Sequence, residues 1–456
     1  MPKEKNIWLA RFDGLQDQDE LIRRATVSGQ PLERIENIPL FGIQKAVEGA
    51  LGSFYLPSAA EVRILMRLIE QAMAHCWRRY ADRQAYLTDL YCPYAQFESE
   101  FVAPHCLTGP AGVGKTALIA ALRRILPANA PLDLGPDHPK ADLIGHWHIE
   151  VRDRSSISSM LRPFVDQEYG ESRRVTNSEL SRVCAKSAHR NGVPLILLDE
   201  LQFLTQSASA STLITKTLYQ LAYIGVPLVF VANYSLCRLL LGRQEQDKQR
   251  LLTAPLILTP CSPDSDHWLA YLNQFKLILG KSLQIDLAQE AGTIYHFTAG
   301  LKRLAIKLMA AAYENVWRQG RRQVHIEDIA NAYEGLSFAA NRKQVKAMLM
   351  PHPSIQTKPF ECPFPLPADE STTLQAIRKQ ARDEALRYKV QQEVMTPQER
   401  KEAKLQRPVL PTPVQASSEP LRKRAQRKPL SAQELLETEH HRRGKNLYPR
   451  GPSAIG

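Results

Sequence analysis

Over the first 55 positions the apolar residues come in short pieces broken by charge, glycine and proline, a pattern that predicts an N-terminal arm (1–55) with only local structure. From Ser58 to Tyr80 the pattern changes. Val62, Leu65, Met66, Ile69 and Met73 recur at spacings of three and four, which predicts an amphipathic helix introduced by Pro57 with Ser58 as its N-cap. Beyond it, short apolar runs alternate with helical patterns. "HWHIEV", "PLILLDE", "PLVFVAN" and "PLILTP" have the length of strands, and stretches such as "SELSRVCAKSAHR" and "STLITKTLYQLAYI" between them have helical spacing. Strands separated by helix-length crossovers pair in parallel and are buried on both faces. The fold class predicted for residues 56–264 is therefore α/β, a parallel sheet with helices on both sides.

From about Ser265 the pattern is wholly helical. Trp268, Leu269, Leu272, Phe275 and Ile278 form one stripe, and Leu301, Leu304, Ala305, Leu308 and Met309 another, so 265–350 is expected to be a small helical domain. Prolines then cluster in "PHPSIQTKPFECPFPLP" and "RPVLPTPVQASSEPL", which predict an extended linker; between them "TLQAIRKQARDEALRYKVQQEV" is helical in propensity but strongly charged. The expectation for 351–456 is a largely disordered, Pro-rich basic tail.

Charge sharpens this picture. The chain carries a net +12 with a pI near 9.3, a balance that suits anionic partners, nucleic acid the commonest, with a solvated basic surface as the alternative. From Thr396 onward there are 13 Lys and Arg against 6 Asp and Glu, so +7 of the excess falls in the last stretch. Seven scattered cysteines form no Cys-x-x-Cys pair, which argues against a disulfide framework or a zinc site and fits a reducing cytoplasm. "MPKEKNIWLARFDG" has no apolar run of signal-peptide or membrane-span length, so a soluble cytoplasmic chain is expected.

The most specific chemistry lies in "LTGPAGVGKTALIAALRRIL". Gly109, Pro110, Ala111, Gly112, Val113, Gly114, Lys115 and Thr116 satisfy the phosphate-loop pattern at every required position. A strand-like "VAPHCL" leads in and a helix follows, so backbone N–H groups and the positive end of the helix would face the same anion. Lys115 is expected to reach the β and γ phosphates of ATP and the Thr116 hydroxyl to ligate Mg²⁺. A hydrolysing site needs a second carboxylate element on a neighbouring strand. "LILLDE" supplies it, with Asp199 toward the Mg²⁺ and Glu200 to orient and activate the attacking water. Asn233 closes the next apolar run, where its amide can bond the γ-phosphate or the water, or serve as a turn residue.

The order of phosphate loop, acid pair, Asn-ended strand and helical lid resembles an AAA+ ATPase over roughly Leu56 to Ser337. Within that superfamily "LLDELQFL", "VFVANYSL" and "DKQRLLTAPLIL", with the long basic tail, are similar to the target-selection ATPases of DNA transposons, the TnsC and TniB group related to MuB and IstB. The resemblance implies a homo-oligomeric ring or filament in which an arginine of one subunit completes the site of the next. Arg250 in "DKQRLL" matches that finger, with Arg243 as the alternative or either as a plain surface arginine; Arg303 in "TAGLKRLAI" matches the lid arginine that senses the γ-phosphate.

In "IEVRDRSSISSMLRPFVDQEYGESRR" the residues Arg152, Arg154, Arg162, Arg173 and Arg174 lie among serines, in the part the superfamily turns toward its central channel. They suit phosphate contact to double-stranded DNA without base reading, or form a charged surface loop. The function implied is an ATP-dependent regulator of transposition that passes a site chosen by a target selector to a transposase. A replication initiator or helicase loader is the alternative. The tail clusters "RKRAQRK" and "HHRRGK", separated by "LSAQELLETE" with its leucines, are expected to bind the transposase.

Overall fold

Along each central apolar run, neighbouring residues go to opposite faces of one sheet. In the computed structural model Leu107, Leu197, Val229 and Val231 belong to one hydrophobic core, while Cys106, Ile196, Leu198 and Phe230 belong to a second. Side chains alternate across a strand, so a continuous apolar run is the signature of burial on both sides. The structure describes residues 6–80, 82–93, 97, 99–134, 138, 141–151, 156–165, 177–201, 210–349, 360–366, 375, 377–379 and 383.

Five strands make the main sheet: β1 (His105–Gly109), β4 (Trp147–Glu150), β5 (Ile196–Asp199), β6 (Leu228–Asn233) and β7 (Leu256–Ile257), in the order β4-β5-β6-β1-β7 and all parallel. Each expected run contains one of these strands. The antiparallel pair β2 (Ala130–Leu132) and β3 (Ala141–Leu143) was not expected from the pattern, because three-residue strands carry too few positions to show alternation. The helices Asn177–Arg190 and Ala210–Ala222 fall on the amphipathic stretches read between strands. The C-terminal part of the described chain is helical, from Asp266–Leu279 to Ala339–Leu349.

The helix Ala59–Arg79 starts with a capping box: Glu61 N donates to Ser58 Oγ and Ser58 N to Glu61 Oε2 at 2.8 Å. Ahead of it the structure differs from the arm expected for 1–55. Trp8, Phe12, Leu15 and Leu21 are buried in the first core, with Trp8 stacked on Tyr80 at 5.2 Å. Helix Leu40–Ser53 packs along the helix Lys302–Arg318, and Trp317 Nε1 donates to Ile38 O. Charged residues occupy the outer faces of these short helices and dilute an apolar signal that only burial against distant elements explains.

The linker expectation also changes in part. Within the first proline cluster, residues 360–366 lie against the second core: Phe364 packs on it, Arg238 donates to Glu361 O, and Pro365 and Leu366 flank the edge strand β7. The tail clusters beyond Thr396 lie outside the described residues. Among the described residues no helix is long and apolar enough to cross a membrane.

Candidate functional site

At the carboxyl ends of the strands the register sets three chemical groups side by side. Gly109, which begins the glycine-rich loop, pairs with Asn233 across β1 and β6, while β5 beside β6 ends in Asp199. In an open parallel sheet this crevice is where ligands bind.

The loop conformation depends on its glycines. Gly112 has φ of 89° and Gly114 of 116°, both in the left-handed region open to glycine. A Cβ on Gly112 would also come within 3.1 Å of Arg303 Nε. Gly114 is the N-cap of helix Lys115–Ile125, so the unpaired first-turn N–H groups open onto the loop. Lys115 Nζ folds back to donate to Gly109 O at 2.8 Å and Pro110 O at 3.0 Å. Thr116 is exposed on the cavity wall.

That cavity, of about 430 Å³, is lined by loop residues Ala111, Gly112, Gly114, Lys115 and Thr116 and also by Asp199, Glu200, Asn233 and Arg303. Asp199 is buried and accepts from Glu200 N at 2.7 Å. Glu200 has φ of 60°, a left-handed backbone that costs a non-glycine residue about 1–3 kcal/mol and is characteristically kept at functional sites. Asn233 serves as a helix cap and also lines the cavity. Its Oδ1 caps helix Tyr234–Leu241 by accepting from Leu236 N and Ser235 Oγ, and Nδ2 is left without a partner among the described residues. Arg303 is the second residue of helix Lys302–Arg318, and its backbone N donates to Gly112 O at 3.1 Å. Gln344 Nε2 donates to Ala111 O, so the helical region touches the loop twice.

Arg243 and Arg250 stand apart from this lining. Arg243 is held within the chain by Asp247 at 3.1 Å and Thr212. Arg250 is exposed, its guanidinium 5.7 Å from the Phe101 ring. Arg162 is exposed in the turn Arg162–Phe164; Arg152, Arg154, Arg173 and Arg174 lie outside the described residues.

Sequence reasoning missed the other half of the cavity. Leu51, Phe54 and Tyr55 from the N-terminal segment and Tyr271 and Ile306 from the helical region give it an apolar wall. Lys302 pairs with the buried Glu61 at 2.7 Å, tying the helical region to the capping box. Removing one partner would strand a buried charge at a cost of about 3–5 kcal/mol. The spelling Ser-x-x-Glu at Ser58 was the available signal, but nothing in the chain pointed from Glu61 to a lysine 241 positions away.

Burial pushes the Lys115 ammonium down to about 8, with Arg303 adding to the effect. A bound phosphate favours the charged form and raises that value, so nucleotide binding should take up a proton near and above pH 8, and affinity should fall as pH rises past 8 but not as it falls below 7. Calorimetry at pH 8 in buffers of differing ionisation enthalpy checks this; zero proton uptake would contradict it.

Residues 104–240 match the family described as AAA domain. No curated protein matches the chain. Similar solved structures include the Aeropyrum pernix ORC1 protein in complex with DNA, at 19% identity over 60% of this chain and 68% of that one with a TM-score of 0.36. Cdc6p from Pyrobaculum aerophilum is 11% identical over 72% and 82%, with a TM-score of 0.38. The Thermotoga maritima RuvB Holliday junction branch migration motor is 13% identical over 59% and 74%, with a TM-score of 0.30. The glycine-rich loop, the acid-ended strand and the Asn-ended strand all fall inside the segment that matches the AAA domain.

Proposed function

We propose that the chain is an ATP-dependent DNA-binding AAA+ regulator of transposition, which oligomerises on target DNA and couples target-site selection to transposase recruitment. The observation that carries the reading is a division of the site. Lys115, Thr116, Asp199, Glu200, Asn233 and Arg303 line one cavity, while Arg250 is exposed outside it, where a second copy could present it.

The residues fit ATP and Mg²⁺. Left-handed glycines open loop N–H groups to phosphates, Lys115 carries a charge that donates to two loop carbonyls, and the Leu51, Phe54 and Tyr55 wall suits a nucleobase. Thr116 and Asp199 would hold Mg²⁺, which neutralises charge developing on the transferred phosphoryl group. Glu200 takes the proton of the attacking water, and Asn233 Nδ2 donates to that water or to the γ-phosphate. Arg303, packed on Gly112, ties the helical region to the phosphate end of the cavity, so hydrolysis there changes the contacts that hold it closed. Arg250 from the neighbour stabilises the transition-state charge, which makes assembly a condition for turnover.

Transposition itself is supported by the sequence resemblance and by the composition of the tail. Truncation after Met395 is the test: ATPase turnover and ATP-dependent assembly on random-sequence duplex should persist while stimulation of the transposase is lost. Normal recruitment by the truncated chain would refute the tail assignment, and tight preference of the isolated protein for one duplex sequence would favour an initiator instead.

A further inference from the structure

A second cavity, of about 200 Å³, opens at the opposite end of the sheet from the nucleotide site. It lies between the C-terminal turn of helix Ala59–Arg79, residues 99–102 ahead of β1, the end of helix Asn177–Arg190 and residues 224–226 ahead of β6. Its polar lining includes His75, Arg78, Arg79, His189, Ser99 and Glu100, with Tyr80 beside them donating to His189 O.

Most of these groups are already satisfied. Arg79 pairs with Asp89 at 2.9 Å, lies over the Phe97 ring and donates from Nε to His189 Nδ1 at 3.3 Å. His189 therefore accepts at Nδ1, and its Nε2–H points to Tyr86 O at 3.4 Å, a neutral ring with both nitrogens engaged. Ser99 donates to Tyr223 O. Two groups are left over. His75 is 4% exposed, and its Nδ1 has no hydrogen-bond partner. Arg78 is exposed and has no ion pair among the described residues. A buried polar atom without a partner costs about 1–3 kcal/mol, so the arrangement calls for something to bond.

We propose that this cavity is an oxyanion site, in which a phosphate-type group accepts from the Arg78 guanidinium and from an N–H of His75, with Arg79 adding positive potential behind them. A cation is opposed by the two arginines, and an apolar ligand would leave the His75 nitrogen stranded. Glu100 is exposed at the mouth and is the one carboxylate of the lining, so it limits rather than forbids anion entry. Burial first, then Arg78, Arg79 and His189, hold the His75 imidazolium down to about 3, so the ring is neutral beside the two arginines. The site is separate from the nucleotide cavity, and its failure would leave the ATPase assignment intact.

The test uses inorganic phosphate and the full chain carrying Lys115→Ala, which silences the glycine-rich loop. Phosphate titration by ³¹P NMR and calorimetry should show one saturable site in Lys115→Ala. Adding Arg78→Ala should weaken it at least tenfold without moving the thermal melt, because Arg78 is exposed, while Arg78→Lys should recover part of the affinity. His75→Gln should weaken it as well. Competition with random-sequence duplex separates the sources of the anion: Arg78-dependent displacement identifies a nucleic-acid backbone phosphate, and no displacement identifies free phosphate. Phosphate binding only when Lys115 is intact, or equal affinity after Arg78→Ala, would overturn the proposal.

Discussion

Lys115→Ala is expected to lower ATP affinity on the order of a hundredfold or more while leaving the fold in place. The Lys115 side chain is half-buried and bonds two carbonyls of the glycine-rich loop, Gly109 O and Pro110 O. Charge-assisted hydrogen bonds are each worth about 1.5–3 kcal/mol, and about 1.4 kcal/mol is tenfold in affinity. Two of the neighbouring cations are already engaged. Lys302 is held by Glu61, and the Arg303 side chain packs on Gly112. Titration with a fluorescent ATP analogue, with a thermal melt as the control for folding, reads the effect. The same variant serves in mixing. Lys115→Ala subunits carry an intact Arg250, and Arg250→Ala subunits carry an intact loop, so equal mixtures should hydrolyse ATP at hybrid interfaces although neither variant does so alone. Absence of rescue would remove Arg250 from the shared site and leave Arg243, already paired with Asp247, as the remaining candidate.

Glu200→Gln should bind ATP as tightly as the unaltered chain and lose about 10²–10⁴ in turnover, the usual contribution of a positioned general base. An amide orients water but does not accept its proton. The left-handed backbone at Glu200, with its N–H bound to Asp199, fixes the residue through the main chain, so the substitution should leave the loop geometry unchanged. If hydrolysis limits the lifetime of the assembly, complexes of this variant with duplex DNA in ATP should outlast those of the unaltered chain. Single-turnover hydrolysis and dissociation rates after dilution measure the two halves. Full turnover with glutamine in place would assign the base elsewhere, and equal lifetimes would break the link between hydrolysis and disassembly.

Local signals and distant contacts divided the work of specifying this molecule. The strands were legible because residues buried on both faces of a parallel sheet must be apolar without alternation, as in Leu195 to Leu198, and the glycine-rich loop because left-handed turns at Gly112 and Gly114 restrict the residue type. The Ser58 cap was legible for the same local reason, a side chain three residues from the N–H it bonds. What tertiary structure alone decided is how segments far apart in the chain close on one cavity. Glu61 meets Lys302, Tyr55 and Tyr271 face one cavity, and helix Leu40–Ser53 packs along Lys302–Arg318. None of these has a periodicity to read, since each side chain looks like an ordinary charged or aromatic residue until its partner is brought to it. The same holds for His75, whose Nδ1 is left without a partner only once the fold buries it. Short-range geometry is written in neighbouring residues; the cost of leaving a buried charge or polar atom unpaired is set by whatever the fold places against it.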